Sequence, residues 1–291
     1  MQNIFLYGNP TQSSRLDELR DFLLALIAAA GSVRLCAEKD YRDFLLRIAP
    51  QTADSIEPAS APPADPGETL AISIGGDGTF LTTANRIGRS GVPVMGINSG
   101  HLGYLSAANI SNARLITQRI VEGDFTTEPR TLISATSPNT ILPPNAHALN
   151  EVAILKQDTA SMITIEATIG DSPLATYTGD GLIVSTPTGS TGYNLSVGGP
   201  IISPRCSDWV ISPIAAHSLS MRPLVVPDSI SLSITCRSRS GSMMLAIDGR
   251  STPLPITTRL ELKKADFEIR VAHLPEQSFI HSLRHKLHWA E

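Results

Sequence analysis

"TLAISIGGDGTF", residues 69 to 80, decides the fold and raises the chemical question. Thr69 to Ile74 form a nearly unbroken apolar run, as a parallel strand covered on both faces requires. A glycine loop with one aspartate follows, and Thr79 stands where it can cap a helix. Phe80, Leu81, Ala84 and Ile87 then recur at helical spacing, Gly91 closes the pattern, and "VPVMGI" (92–97) reads as the next strand. Strand, glycine loop, short helix and strand make a βαβ unit, which predicts an α/β N-terminal half. Glycines at such a turn let backbone N–H groups approach a ligand, and a helix N-terminus favours anionic oxygen. Asp77 fits a plain phosphate cradle poorly, because its charge repels phosphate. It fits as acceptor of a hydroxyl proton, as holder of a magnesium ion, or as the N-cap of a tight turn.

Working outward, "IFLY" (4–7) closed by "GNP" signals a first strand and turn. Ser14 and Asp17 stand at capping-box spacing, and Leu16, Leu19, Leu23, Leu26, Ile27 and Ala30 predict an amphipathic helix ended by Gly31. Residues 50 to 67 carry five prolines and read as a mobile surface loop. Beyond about residue 130 the period becomes two: Ile163, Ile165, Ala167 and Ile169 alternate, as do Ile230, Leu232, Ile234 and Cys236. Leu245 and Ile247 precede the turn "DGR", and Leu260, Leu262, Phe267, Ile269 and Val271 form a last pair around "KKAD". Such alternation predicts an all-β, sandwich-like domain. Phe279, Ile280, Leu283 and Leu287 share one face of a final helix. The expected layout is an α/β domain over 1–129, with 276–291 packing back on it, and a β-rich domain over 130–275.

Composition narrows the function. The net charge of −4 and the lack of a basic run speak against a nucleic-acid partner. The longest apolar stretch, "FLLALIAAAG" (22–31), is about half of a bilayer crossing, and the opening "MQNIFLYGNP" lacks the basic n-region of a signal peptide. Cys36, Cys206 and Cys236 are too scattered for a disulfide framework or a zinc site and each reads as a small core residue of a cytoplasmic protein. Neither a Walker A lysine motif, nor G-x-G-x-x-G opening a helix, nor G-x-S-x-G, nor H-E-x-x-H occurs.

A second dense stretch is "YTGDGLIVSTPTGSTGYNLSVGGPIISP" (177–204). It repeats Gly-Asp-Gly, then strings hydroxyls and glycines around Tyr193, a set suited to ribose and phosphate oxygens and to the face of a base. Loops between strands draw on the same residues. In "HALNEVAI" (147–154), Asn150 and Glu151 pair an amide with a carboxyl at the mouth of a strand, which can read a nucleoside. His101 and His217 read as satisfied or exposed histidines.

"GGDGT", "GINSGHLGYL", "LNE", "GDGLIVSTPTGSTGYNLSVGGPIISP" and "HSLSMRPLVV", in this order, resemble the NAD kinase family over about residues 69 to 275. GGDG alone is shared with phosphofructokinases and lipid kinases; "STPTGSTGYNLS" with "LNE" is far more specific. The resemblance implies a Rossmann-like three-layer α/β domain, a β-sandwich-like domain and an active site in the crevice between them. It implies transfer of the ATP γ-phosphoryl, with Mg²⁺, to the 2′-hydroxyl of the adenosine ribose of NAD. Asp77 would be the general base; aspartate side chains carry their charge at neutral pH without special activation. Gly75, Gly76, Gly78 and Thr79 would form the ATP phosphate loop. Asn150 and Glu151 would hold adenine or ribose, and Asp180 the nicotinamide carboxamide or its ribose. Thr191, Gly192, Tyr193, Asn194, Leu195 and Ser196 would line the dinucleotide, with Tyr104 near adenine and Ala215 in the same pocket. Thr178 stands where many members restricted to oxidised NAD carry a basic residue, and so resembles members that also accept NADH. The family usually forms homodimers or homotetramers through the β domain. Rival readings are a lipid or sugar kinase sharing GGDG, for which no acyl cavity or basic cluster is evident, and a non-catalytic nucleotide-binding protein.

Overall fold

The structure, a computed structural model, describes residues 1–62, 65–100, 103–106, 108–158, 161–275 and 277–287, with backbone alone over 285–287. The chain divides into two compact units, Met1–Pro129 with Ile269–Glu291, and Arg130–Glu268.

The first unit contains β1 (Asn3–Gly8), α1 (Leu16–Ala30), β2 (Arg34–Ala37), α2 (Lys39–Ile48), β3 (Ile56–Pro58) and β4 (Thr69–Ile74). Then come α3 (Asp77–Ile87), β5 (Val94–Asn98), β6 (Ala108–Asn109), α4 (Ala113–Glu122) and the start of β7 (Thr126–Thr136). Strands β5, β4, β1, β2 and β3 lie side by side and parallel. Alternation splits their side chains between two faces. Ile4, Leu6, Leu70, Ile72 and Ile74 meet Leu19, Phe22, Leu23 and Leu26 of α1, Phe44 and Leu45 of α2, and Ile116 and Ile120 of α4 in one core. The other face carries Phe5, Ala71 and Ser73, and α3 covers it: the Thr83 hydroxyl lies 3.0 Å from that of Ser73. Small residues there let the helix approach; a Cβ on Gly96 of β5 would stand 3.0 Å from the Phe80 ring. With helices on both faces of a parallel sheet, this is the expected three-layer α/β architecture.

In the second unit, β7 is followed by β8 (His147–Ala148), β9 (Glu151–Lys156), β10 (Ile163–Ile169), β11 (Ser172–Gly179) and β12 (Gly181–Ser185). A 3₁₀ turn at Thr188–Thr191 and the one-turn α5 (Tyr193–Ser196) lead to β13 (Asp208–Ile214) and β14 (Leu224–Pro227). The series ends with β15 (Leu232–Arg237), β16 (Ser242–Ile247), β17 (Arg250–Pro255) and β18 (Leu260–His273). One antiparallel sheet has the order β14-β13-β12-β9-β16-β17; the other runs β11-β10-β15-β18. Their apolar faces share a core around Trp209, Ile154, Leu182, Ile165, Ile234 and Leu245.

Several expectations need correcting. Strand β18 runs unbroken from Leu260 to His273, so "KKAD" is no turn and the pair expected around it is a single strand; the two compact units divide within it, after Glu268. Part of the proline-rich stretch is ordered: Ile56 is buried and pairs with Leu35, so β3 becomes the sheet's edge, where Pro58 costs no ladder bond. Pro63 and Ala64 lie outside the described residues. Helix α1 starts at Leu16 with Arg15 in the left-handed region and no side-chain cap, so Ser14 and Asp17 form no capping box. In α6 (Phe279–Leu287) Leu283 is buried but Ile280 is 63% exposed, which takes Ile280 off the packing face. The side chain of Leu287 lies outside the described residues. Cys36 and Cys236 are buried, but Cys206 is exposed and so is no core residue. Among the described residues no helix is long and apolar enough to cross a membrane.

Candidate functional site

In the first unit the chain leaves β4 through Gly75, whose φ is 154° and whose Cβ would overlap the Thr79 side chain. The fold itself demands that glycine. Gly76 and Gly78 differ: neither has a positive φ, and a Cβ on either would meet nothing within 4 Å. Their missing side chains leave open space beside the first turn of α3, where N–H groups lack intrahelical partners. The helix starts at Asp77, with Gly76 at the N-cap and no side-chain capping bond. Thr79 is therefore inside the first turn and not the cap expected from its position, and Asp77 is no N-cap either.

The Asp77 carboxylate instead turns to another segment. Oδ2 accepts the Tyr104 N–H at 2.8 Å and Oδ1 the Leu105 N–H at 3.2 Å. Gly103 is required beside them, because a Cβ there would overlap Asp77 Oδ1. Two backbone donors thus fix the direction of the carboxylate, and its other lone pairs remain able to take a proton or a hydroxyl. Burial, and then the Asp77 charge, push the Tyr104 phenol above its usual range. His101 and Leu102, in the same motif, lie outside the described residues.

The second unit holds two separate clusters. The first surrounds the entry to β9. Asp248 and Gly249, with φ of 47° and 77°, form the two-residue turn between β16 and β17 that an Asp-Gly pair favours. The Asp248 carboxylate accepts N–H bonds from Leu149 (2.7 Å), Asn150 (2.8 Å) and Glu151 (3.1 Å). On the opposite side, Thr186 N–H donates to the Asn150 carbonyl at 2.8 Å, and the Thr186 hydroxyl bonds the Leu149 carbonyl at 2.5 Å. So clamped, Asn150 and Glu151 expose two buried atoms to no protein partner: Asn150 Oδ1 and Glu151 Oε2. Gly192 borders them, and a Cβ there would stand 3.2 Å from Glu151 Oε2 and 3.4 Å from Asn150 Nδ2. Unsatisfied buried oxygens beside a bare glycine are the mark of a place where a ligand supplies the missing donors. Burial, followed by the Asp248 charge, pushes the Glu151 carboxyl up to about 7, against the pull of the Tyr193 backbone N–H.

The other cluster is at the far end of the same strands. Asp180 donates its N–H to the Ile214 carbonyl (2.9 Å), next to Ala215, an exposed residue with φ 46°. Lys156 Nζ is 2.7 Å from Asp180 Oδ1. Glu151 pairs with Ser185 and Leu155 with Gly181, so the clusters stand about 17 Å apart along β9. The structure therefore brings Asn150, Glu151, Gly192 and Tyr193 together and sets Asp180 and Ala215 apart from them.

Not every expected residue faces a ligand. Asn194 is fully buried: Oδ1 accepts the Ser212 hydroxyl at 2.6 Å, and Nδ2 donates to the Ser190 and Pro200 carbonyls, both at 3.1 Å. Its side-chain amide is spent holding the loop to β13. Tyr193 is 39% exposed and Ser196 is exposed, with Thr191 and Leu195 half-buried. His217 is exposed, as expected. Asp248 and Lys156 were missed. "DGR" signalled a turn, but nothing local shows that its aspartate reaches back some hundred residues. Among the described residues no group of three or more His, Cys, Asp or Glu converges as a metal site would.

Two family models match the chain: the ATP-NAD kinase N-terminal domain over residues 14–125 and the ATP-NAD kinase C-terminal domain over 149–274. An NAD kinase of Porphyromonas gingivalis is 48% identical over 218 residues, 75% of each chain. One of Flavobacterium johnsoniae is 36% identical over 290 residues, 99% of this chain and 98% of the relative. Among solved structures, yeast NADH kinase complexed with NADH superposes with a TM-score of 0.82 at 23% identity, covering 100% of this chain and 89% of that one. An NAD kinase from Archaeoglobus fulgidus in complex with ATP gives 0.72 at 22% identity, covering 99% of both. The separately built GGDG turn and Asn-Glu clamp thus fall within matched halves of one enzyme, and the chain belongs to the NAD kinase family of phosphotransferases.

Proposed function

We propose that Asp77 is the general base of this NAD kinase, drawing the proton from the 2′-hydroxyl of the adenosine ribose of NAD as that oxygen attacks the γ-phosphorus of ATP. The bond to the ADP leaving group breaks, NADP forms, and the proton resides on Asp77. The observation that carries this reading is the Asp77 carboxylate itself: two backbone N–H groups aim it away from its own helix, beside a turn left open by Gly76 and Gly78. Phosphoryl transfer depends mostly on positioning and charge neutralisation, so a fixed base and a nearby ring of amides suffice. Mg²⁺ enters as part of the ATP substrate; it keeps several waters and binds through one or two carboxylates plus phosphates, so no dedicated protein cage is needed.

The unpartnered oxygens of Asn150 and Glu151 are the natural acceptors for adenosine amino or hydroxyl groups. Asp180 with Ala215 would serve the nicotinamide nucleoside, and their distance from Asn150 along β9 suits the two ends of an extended dinucleotide. Tyr104 would flank adenine. The three free cysteines accord with a cytoplasmic enzyme, and we assign it a dimeric or tetrameric state through the β-rich unit.

Incubation with ATP, Mg²⁺ and NAD should yield NADP, read by glucose-6-phosphate dehydrogenase cycling; its absence would reject the reading. Gly192→Val should raise KM for NAD about tenfold or more while KM for ATP holds and Tm falls only slightly, since the new methyls occupy the space beside Glu151 Oε2 and its Cβ stands 3.2 Å from the Gly189 carbonyl oxygen. An unchanged KM for NAD would remove Gly192 from the site. Thr178, half-buried with its hydroxyl 3.4 Å from that of Thr164, brings no charge of its own to the Asp180 cluster. Measurable phosphorylation of NADH beside NAD is therefore expected, and no detectable NADH activity would reject that extension.

A further inference from the structure

We propose that Asp248 is a positioning residue for dinucleotide binding: it fixes the Leu149–Glu151 backbone and holds the negative charge of a two-carboxyl pair so that Glu151 meets its ligand as a neutral acid. The inference rests on the assignment of Asn150 and Glu151 to NAD and adds the protonation state in which that site works.

Geometry decides which carboxyl holds the charge. Asp248 accepts three backbone N–H bonds, on both of its oxygens, and its own N–H donates to the Glu151 carbonyl at 3.1 Å. Burial pushes the Asp248 carboxyl upward as well, but its three N–H donors and Arg250 pull the other way, and a proton on Asp248 would point a hydroxyl at donors that have nothing to accept it. Glu151 is the reverse case. Its Oε2 is buried without a donor, and only the Tyr193 backbone N–H supports its charge. Two buried carboxyls this close cannot both ionise cheaply, so the pair's remaining proton belongs on Glu151. The groups around Glu151 agree. Asp248 on the β16–β17 turn is the nearby anion. Ser185 on β12 is uncharged, and Arg250 acts on Asp248, with its guanidinium anchored to the Asn145 and His147 carbonyls. A neutral Glu151 presents one donor and one acceptor beside the Asn150 amide, which suits a ribose diol or an adenine edge better than two acceptors would.

The turn makes the point sharper. An Asn-Gly pair would build the same two-residue turn, so the turn alone does not call for a carboxylate. An amide in its place offers one acceptor oxygen and an NH₂ that confronts an N–H donor.

The test is Asp248→Asn, with Glu151→Gln and Asn150→Ala as companions, in the full-length enzyme. A ¹³C-carboxyl NMR titration, with the Glu151 signal assigned by its loss in Glu151→Gln, should show wild-type Glu151 titrating near 7. Asp248→Asn should lower that midpoint by about one unit or more. It should also raise KM for NAD about tenfold with KM for ATP unchanged. Glu151→Gln, a permanent mimic of the neutral acid, should remove the pH dependence that KM for NAD shows between 6 and 8 in the wild-type enzyme. A wild-type Glu151 that titrates below 5 overturns the inference even should Asp248→Asn fail to fold. Unchanged KM for NAD and an unchanged midpoint in Asp248→Asn overturn it as well. If Asn150→Ala leaves KM for NAD untouched while the Glu151 midpoint still responds to Asp248, the assignment of this site to NAD is what fails, and the carboxyl pairing stands.

Discussion

Asp77→Asn should lower kcat about a thousandfold, the middle of the range for losing a positioned general base, with KM for ATP and NAD changed only slightly. The substitution is nearly isosteric. Its carbonyl oxygen keeps one of the two N–H bonds from Tyr104 and Leu105, while its NH₂ meets the other donor head on. That mismatch costs about 1–3 kcal/mol at most, which lowers Tm by a few degrees and leaves the fold intact. A kcat effect far larger than the KM effect is therefore the signature of lost proton transfer and not of lost binding. Steady-state kinetics with a thermal melt provide the check. A variant that turns over at near the wild-type rate would show that the ribose hydroxyl loses its proton elsewhere and that Asp77 only anchors the segment at residues 103–105.

The fold was readable where local periodicity carries it. "TLAISI" is buried throughout because helices cover both faces of its sheet, and a continuous apolar run is the direct record of that burial. Alternation in Ile163–Ile169 records a single buried face in the same way, whereas along β18 Leu260 and Leu262 give way to Ala265, Ile269 and Val271 in the opposite phase. Caps were read less well. Ser14, Asp17 and Thr79 have the right chemistry, but their helices start where the backbone geometry of Arg15 and Gly76 allows, and tertiary contacts override the cap preference. Ile56 escaped notice because three residues of edge strand between prolines carry no period.

The site was legible to the extent that its residues are neighbours in sequence. Asn150 with Glu151 and the glycines of the GGDG turn announce themselves as clusters. The partners that give these residues their properties come from far along the chain: Asp248 to Asn150, Tyr104 to Asp77, Lys156 to Asp180. Composition is equally blind to direction. Asn194 and Asn150 belong to stretches of the same polar character, yet one amide is consumed inside its loop and the other keeps an oxygen without a partner. Only the fold distinguishes a polar residue that builds a site from one that faces its ligand.

Gly189→Ala should disable the dinucleotide side of the enzyme through backbone alone. Gly189 lies in the 3₁₀ turn Thr188–Thr191, where its N–H donates to the Thr186 hydroxyl at 3.1 Å. A Cβ there would overlap the carbonyl oxygen, carbonyl carbon and Cα of Asn150. No side-chain rotation relieves a collision with three main-chain atoms, so either the turn or the Asn150 backbone must move. Asn150 is held by Asp248 on one side and by Thr186 on the other, and the shift therefore carries its amide and the adjoining Glu151 off target. Stability should fall by about 1–3 kcal/mol, the usual cost of overfilling a packed site. A displacement of about 1 Å at a positioning element costs about a hundredfold, so kcat/KM for NAD should drop by about that factor. The GGDG turn belongs to the other compact unit, and binding of ATP, measured by calorimetry, should change little. The contrast with Gly192→Val is informative, since a Cβ there stands 3.2 Å from the Gly189 carbonyl oxygen instead of overlapping main chain, and should cost far less stability. Wild-type affinity for NAD in a Gly189→Ala protein of unaltered Tm would mean that the Asn150 backbone is not fixed by this contact, and the clamp would then rest on Asp248 and Thr186.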